Sequence, residues 1–195
     1  DISQRKAAEE KVRQLALYDA LTELPNRRML ADRLNQALLS NQRSHHFGAL
    51  LFLDLDNFKP LNDTHGHAVG DLLLVEVARR LKACVRQMDT VARIGGDEFV
   101  LMLSELDTDA TRSLAEASTV AEKVRLSLAE PFLLHVKHKD QADLLVAHHC
   151  TASIGLTLFG PGQSDQELIL KQADIAMYQA KDAGRNRVTL YKAAG

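Results

Sequence analysis

Residues 47–56, FGALLFLDLD, constrain the fold more than any other stretch of the chain. A half-exposed strand alternates apolar and polar residues. An unbroken apolar run of this length instead implies a strand covered on both faces, central in a sheet with a layer on either side. With a side-chain period of two, Asp54 and Asp56 point to one side while Leu53 and Leu55 point to the other. Two acids at the end of a buried strand contribute little to packing, so chemistry is the first thing to ask of them.

The remaining elements can be hung on that strand. Residues 2–18 are charged helix formers with a narrow stripe at Ala8, Val12 and Leu15, either the end of a longer coiled coil or a helix lying on its own domain. Pro25 and Asn26 mark a turn, and Met29–Leu39 read as a helix. Residues 57–66, with Asn57, Pro60, Asn62, Asp63 and Gly66, have the composition of a loop or short turns. A helix follows from about His67 to Val85, with Ala68, Leu72, Val75, Leu81 and Val85 near one face. Two apolar runs within 89–104 flank Gly95-Gly96, a strong hairpin signal that puts Asp97 and Glu98 at its tip. Residues 109–129 form a helix striped by Leu114, Ala117, Ala121, Val124 and Leu128, and Pro131 ends it. Phe132–Val136 and Leu144–Leu158 look like strands separated by the polar stretch 137–143. A loop around 160–165 leads to a helix over 166–181 that Gly184 terminates, and Arg187–Tyr191 is a short last strand. A chain of 195 residues, 46% of them hydrophobic, is enough for one substantial core. The order of elements predicts a mixed sheet backed by helices.

Several function classes drop out early. A net charge of -2 leaves too little positive surface for coating nucleic acid or gripping an anionic membrane. Cys84 and Cys150 sit among apolar neighbours without a CxxC, as buried thiols of a reducing compartment do. No apolar run is long enough to span a bilayer and no signal peptide is visible. Because the chain opens on Asp1 rather than Met, it reads as a piece of a longer protein.

Four groups of polar residues carry chemistry. Asp54-Leu55-Asp56 together with Asp97-Glu98 supplies the hard oxygen ligands that Mg²⁺ prefers, provided the hairpin lies beside the strand. Otherwise these acids merely solvate loop ends. Asn57-Phe58-Lys59 can turn successive backbone N–H groups onto a phosphate. Asn62 and Asp71 match a guanine edge, although Asp71 also suits an early helix position on dipole grounds alone. Lys181 and Arg185 bracket the end of the last helix, where cations complement the dipole or reach for phosphates. No Walker A motif is present. His65 and His67 flank Gly66 without metal-ligand spacing and read as loop structure.

Taken together, these strings resemble the GGDEF family of diguanylate cyclases. The signature is intact as Gly95-Gly96-Asp97-Glu98-Phe99. DALTELPNRR (19–28), DLDNFKPLND (54–63), GHAVGD (66–71), TASIG (151–155) and ADIAMYQAKDAGRNRV (173–188) follow the family's order, so the match runs from about residue 17 to 191. The resemblance implies an α+β, ferredoxin-like fold with a palm-type nucleotidyl cyclase core. It implies residues 1–18 as a signalling or linker helix and 19–195 as the catalytic domain. The implied activity condenses two GTP into cyclic di-GMP and two pyrophosphates by two-metal phosphoryl transfer. Asp54, Asp97 and Glu98 are then catalytic, and Asp54, Asp97 and the Leu55 carbonyl hold two Mg²⁺, with Mn²⁺ as an alternative. Asn57, Phe58, Lys59, Asn62, Asp71, Lys181 and Arg185 bind GTP. Arg86 and Asp89 form an inhibitory site for the product; the plainer alternative is that they close a helix. One domain holds one GTP, so the active form is a homodimer. The resemblance further implies a sensory domain ahead of the chain, a C-terminal EAL domain behind it, and a cytoplasmic catalytic domain in a parent that membranes can anchor. Rival readings are a module that binds GTP or cyclic di-GMP without catalysis, and a cyclase that accepts ATP.

Overall fold

The computed structural model describes residues 1–137 and 139–193, and in it the apolar run becomes β1 (Gly48–Leu55), with all eight residues buried. The hairpin expected at Gly95-Gly96 is β2 (Thr90–Gly95) and β3 (Glu98–Leu103), and the last strands are β6 (Ala152–Phe159) and β7 (Arg187–Leu190). The five form one sheet in the order β2-β3-β1-β6-β7. Every pairing is antiparallel except that of β6 with β7. β1 is therefore central, as its composition requires.

Helices cover both faces. Leu51, Leu53 and Leu55 face a core shared with α4 (His67–Cys84) and α5 (Ala110–Ala129). Leu50 and Phe52 face a second core under α2 (Arg27–Ser44) and α6 (Gln166–Asp182). Alternation along β1 thus sends Asp54 toward the α2–α6 side. This is the helix-flanked mixed sheet that the resemblance implied. α5 buries Ala117, Ala121, Val124 and Leu128 as its stripe predicts. α6 ends where expected, with Gly184 at φ 114°. The two cysteines are free and buried, and burial pushes the Cys150 thiol up to about 12. No helix among the described residues is long and apolar enough to cross a membrane.

Three local readings need correction. Residues 57–66 are not a loop: Phe58–His65 form α3. Pro60 is its third residue, where the missing N–H has no intrahelical acceptor to lose and the fixed φ suits the first turn. The apolar stretch 144–158 is not one strand either. β5 (Leu144–His148) pairs with β4 (Phe132–Val136) in a separate two-stranded sheet, and β6 starts afresh at Ala152. The break falls at 149–151, where the Asp56 N–H donates to the Thr151 carbonyl at 2.8 Å. Finally, α4 buries Val69, Leu73, Leu74, Val77, Ala78, Leu81 and Cys84, whereas Leu72 and Val75 from the expected face are 37% and 43% exposed. The run LLLV offers several helical phases, and packing against the sheet and α5 selects among them.

α1 (Ile2–Leu17) forms as expected, N-capped by Asp1. Residues 2–16 are all exposed, with Val12 at 66% and Leu15 at 68%. Its apolar stripe does not lie on the domain. Residue 138, within the polar stretch 137–143, and residues 194–195 at the end of the expected catalytic domain lie outside the described residues.

Candidate active site

The acids at the end of β1 and at the hairpin tip come together. Asp54 sits opposite Glu98 in the β1–β3 register. The Leu55 N–H donates to the Asp97 carbonyl at 3.3 Å, so the turn is tied to the end of the central strand. Gly96 has φ 47°, and a Cβ there would meet nothing within 4 Å. Glycine is needed at the tip for backbone conformation rather than for space.

Burying these carboxylates, and crowding them together, raises their proton affinity. Burial, with added repulsion from Asp97, pushes Asp54 up to about 6, although Lys181 pulls the other way. Burial and neighbouring acids likewise raise Asp97 and Glu98. The Lys181 Nζ lies 2.8 Å from Asp54 Oδ1. A cation therefore already compensates this cluster, a partner for Lys181 beyond the helix dipole and the phosphates that its sequence position suggests. Two further charged residues were missed. Asp174, itself raised chiefly by burial, lies close enough to add to the repulsion on Glu98, and Arg27 offsets both. They line a cavity of about 380 Å³ together with Glu98. Asp174 stands seven residues before Lys181, on the same face of α6, a signal the sequence did contain.

The donor set suits a hard divalent cation: every candidate ligand at the strand end and hairpin tip is an oxygen. Among the described residues no group of three or more His, Cys, Asp or Glu side chains could hold a metal. The fit is therefore to an ion taking one or two carboxylates, with water and phosphate filling the other positions. A test follows from the raised carboxyl of Asp54. A folded value of about 6 lies above the unfolded value of about 3.9. The folded, metal-free state therefore binds extra protons between them, and this contribution to stability is lost as pH rises through 6. Mg²⁺ is expected to raise the melting temperature clearly at pH 7.5 and little at pH 5. Equal gains at both would rule out the Asp54 cluster as its site.

The other expected residues fall at four places in the fold. Asn57 is left-handed (φ 59°) and stands at the start of α3 without a side-chain cap, leaving the N–H groups of Phe58 and Lys59 free of intrahelical acceptors. α3 and α4 meet at Gly66 (φ 85°), which places Asn62 against Gly70, next to Asp71. Asn62 Oδ1 is buried without a hydrogen-bond partner, and a Cβ on residue 70 would come within 1.8 Å of it. Asp71 is exposed. Arg185 is exposed just past α6. Arg86 and Asp89 lie elsewhere, on the connection between α4 and β2. Asp89 accepts the N–H groups of Arg86 (2.9 Å) and Ser104 (3.1 Å), while the Arg86 guanidinium donates to the Ser104 carbonyl at 3.0 Å. Both side chains thus also close this corner structurally.

Sequence reasoning also missed the clamp behind the turn. Arg93 donates through Nη1 to both Asp19 oxygens (3.1 and 3.0 Å) and through Nε to the Gly96 carbonyl (2.9 Å). Burial pushes Asp19 up, but hydrogen bonds from Thr22 and Arg93 outweigh it and hold the carboxyl below its ordinary value. Arg93→Ala is expected to lower stability by about 2 kcal/mol, because Asp19 loses its charged partner in a part-buried site. Activity is expected to fall with it as the Gly96–Asp97 turn loosens. Urea unfolding and initial rates check both, and an unchanged unfolding midpoint would remove the clamp from the account.

The chain matches the family model described as diguanylate cyclase, GGDEF domain, over residues 16–187. The bifunctional diguanylate cyclase/cyclic di-GMP phosphodiesterase MucR of Pseudomonas aeruginosa is 46% identical over 182 residues, covering 93% of this chain and 24% of MucR. The signaling protein YkoW of Bacillus subtilis is 36% identical over 191 residues, 98% of this chain and 22% of YkoW. The chain thus spans under a quarter of the length of these two relatives. Among solved structures, the coiled coil and GGDEF domain of DgcB from Caulobacter crescentus, in complex with c-di-GMP, superposes with a TM-score of 0.80 at 30% identity. That match covers 97% of this chain and 93% of the other.

Proposed function

Because the chain belongs to the GGDEF diguanylate cyclase family, we propose that it condenses two GTP molecules into cyclic di-GMP with release of two pyrophosphates. The observation that carries this reading is the meeting of Asp54, Asp97 and Glu98 at the end of the central strand, the family's acids retained on the family's turn. GGDEF domains generically use divalent metals, and here we place two Mg²⁺ on Asp54, Asp97 and the Leu55 carbonyl, with Mn²⁺ as a substitute. When bound, such ions neutralise the reacting phosphate and favour loss of the ribose 3′ hydroxyl proton.

The chain's own residues do the positioning. Backbone N–H groups of Phe58 and Lys59, after the left-handed Asn57, receive phosphate oxygens, with the Lys59 ammonium available beside them. Asn62, seated in the notch left by Gly70, and Asp71 take the hydrogen-bonding edge of guanine; a carboxylate there accepts from N1–H and the exocyclic amine, which adenine does not offer together. Lys181 balances the acids in the free protein and turns toward the triphosphate when substrate arrives, joined by Arg185. Glu98 stands beside the metals and the ribose. Fixed charges of this kind lower the barrier because they need no reorganisation during the reaction.

Each domain holds one GTP, so two copies must face each other for the 3′ oxygen of one nucleotide to reach the α-phosphorus of the other. The exposed stripe of α1 suits a coupling helix that brings two copies together, with a sensory domain ahead of it and an EAL domain behind the catalytic unit. The nucleotide substrate places the domain in the cytoplasm, whether or not the parent is anchored to a membrane. Arg86 and Asp89 form an inhibitory site for the product, the guanidinium taking phosphate or guanine and the carboxylate accepting from the base. The dimer requirement is tested by the rate at fixed GTP and Mg²⁺ over a range of protein concentrations. Specific activity that rises with concentration until the dimer saturates supports the reading; a constant value in a protein shown to be monomeric contradicts it.

A further inference from the structure

Asp56 points to the same side as Asp54 in the sequence pattern, yet the structure gives it different work. It is 2% exposed. Its carboxylate accepts the Thr151 hydroxyl at 2.6 Å, the Ser153 hydroxyl at 2.7 Å and the Asn186 N–H at 3.1 Å. Three separated motifs meet on this one side chain: DLD at the end of β1, TASIG at the start of β6, and GRN between α6 and β7. Neither Thr151 nor Ser153 has a part in the proposed chemistry, and both hydroxyls donate to Asp56.

The Asn186 contact matters because of the backbone around it. Gly184, Arg185 and Asn186 have φ of 114°, 62° and 46°, three consecutive residues in conformations that side chains other than hydrogen disfavour. Such a segment persists only where its surroundings fix it. Here the Arg185 N–H donates to the Ala180 carbonyl at 3.0 Å and the Arg185 carbonyl accepts Arg187 Nε at 3.1 Å. The Asn186 carboxamide oxygen accepts Arg125 Nη1 from α5 at 2.9 Å. Asp56 is the buried anchor of the set, and it stands two residues beyond Asp54.

We infer that Asp56, with Thr151 and Ser153, is a positioning site that holds the left-handed Arg185–Asn186 segment against the end of β1, and so fixes the Arg185 cation for the triphosphate. The inference rests on the reading of Arg185 as a triphosphate ligand. It separates the two aspartates of DLD: Asp54 belongs to the reacting centre, and Asp56 acts on substrate affinity through Arg185.

The test is a double-mutant cycle on GTP kinetics in the full-length protein, with Asp56→Asn, Arg185→Ala and the pair. Asp56→Asn replaces one acceptor oxygen by a donor while keeping the shape. It is expected to raise KM for GTP about tenfold, the scale of one charge-assisted hydrogen bond, with kcat changed by less than about threefold. Arg185→Ala is expected to raise KM similarly, and the double variant to be no worse than Arg185→Ala alone, since both act through one contact. If the two KM effects multiply, Asp56 does not act through Arg185 and the inference is wrong. If Arg185→Ala leaves KM unchanged, the reading of Arg185 itself fails, which is a different result. A fall in kcat at unchanged KM for Asp56→Asn would also overturn the inference. Should that variant not fold, as judged by thermal unfolding, Thr151→Val removes a single donor from the same carboxylate and enters the cycle in its place.

Discussion

Asp97→Ala is expected to abolish cyclic di-GMP synthesis, a loss on the order of a thousandfold or more, while leaving the protein folded. The two halves of this expectation have separate causes. Activity falls because Asp97 sits in the turn tied to the end of β1, where we propose that it and Asp54 hold the metals. Stability survives because Asp97 is an unfavourable neighbour in the metal-free state. Burial and the adjacent Glu98 raise its carboxyl, so the folded state disfavours the ionised form of this side chain. Removing it relieves Asp54 and Glu98. The melting temperature without metal is expected to hold or rise, whereas the gain from added Mg²⁺ shrinks. A variant that retains the parent rate would refute the metal assignment, and one that unfolds would make Asp97 a structural residue.

Gly155→Ala is expected to have the largest effect on stability of any single-methyl change in the sheet. Gly155 lies in the middle of β6, opposite Phe52 of β1, directly beneath α6. A Cβ there would stand 2.0 Å from the Ala173 carbonyl oxygen and 2.3 Å from the Met177 nitrogen. Both are backbone atoms, so no rotamer change removes the clash and α6 must shift away from the sheet. Overpacking of this kind costs about 3 kcal/mol, which in a domain of this size lowers the melting temperature by about 9 °C. The same helix carries Asp174 and Lys181, so its displacement also moves Lys181 from Asp54. Activity is expected to fall more than the unfolded fraction accounts for. If the melting temperature is unchanged, α6 does not approach the sheet as closely as described.

These two residues also illustrate what the sequence does and does not make legible. Gly95-Gly96 between apolar runs announced a hairpin and therefore the position of Asp97, because turn chemistry is local. Gly155 is different: the need for glycine arises from a helix placed there by residues 166–182, and nothing near position 155 states it. The central strand, the α5 stripe and the end of α6 were readable from periodicity and from Pro and Gly. The phase of α4 was not, since LLLV satisfies several faces and only packing decides among them. Pro60 misled because it suits both a loop and the first turn of a helix. At the site, the acids and the basic residues of ADIAMYQAKDAGRN were visible as motifs. Their partners were not: Arg93 meets Asp19 across 74 positions, and Asp56 meets Asn186 across 130. Contacts at such separations leave no local trace.

The most direct test of the account is to incubate the purified full-length protein with GTP and Mg²⁺ and to resolve the nucleotides by chromatography. The account predicts cyclic di-GMP with two pyrophosphates per cyclic product, none when the metal is chelated, and none from ATP. GTP that binds but remains unconverted by a demonstrably dimeric, Mg²⁺-loaded protein would contradict it, and would make Asp54, Asp97 and Glu98 parts of a binding module rather than of an enzyme.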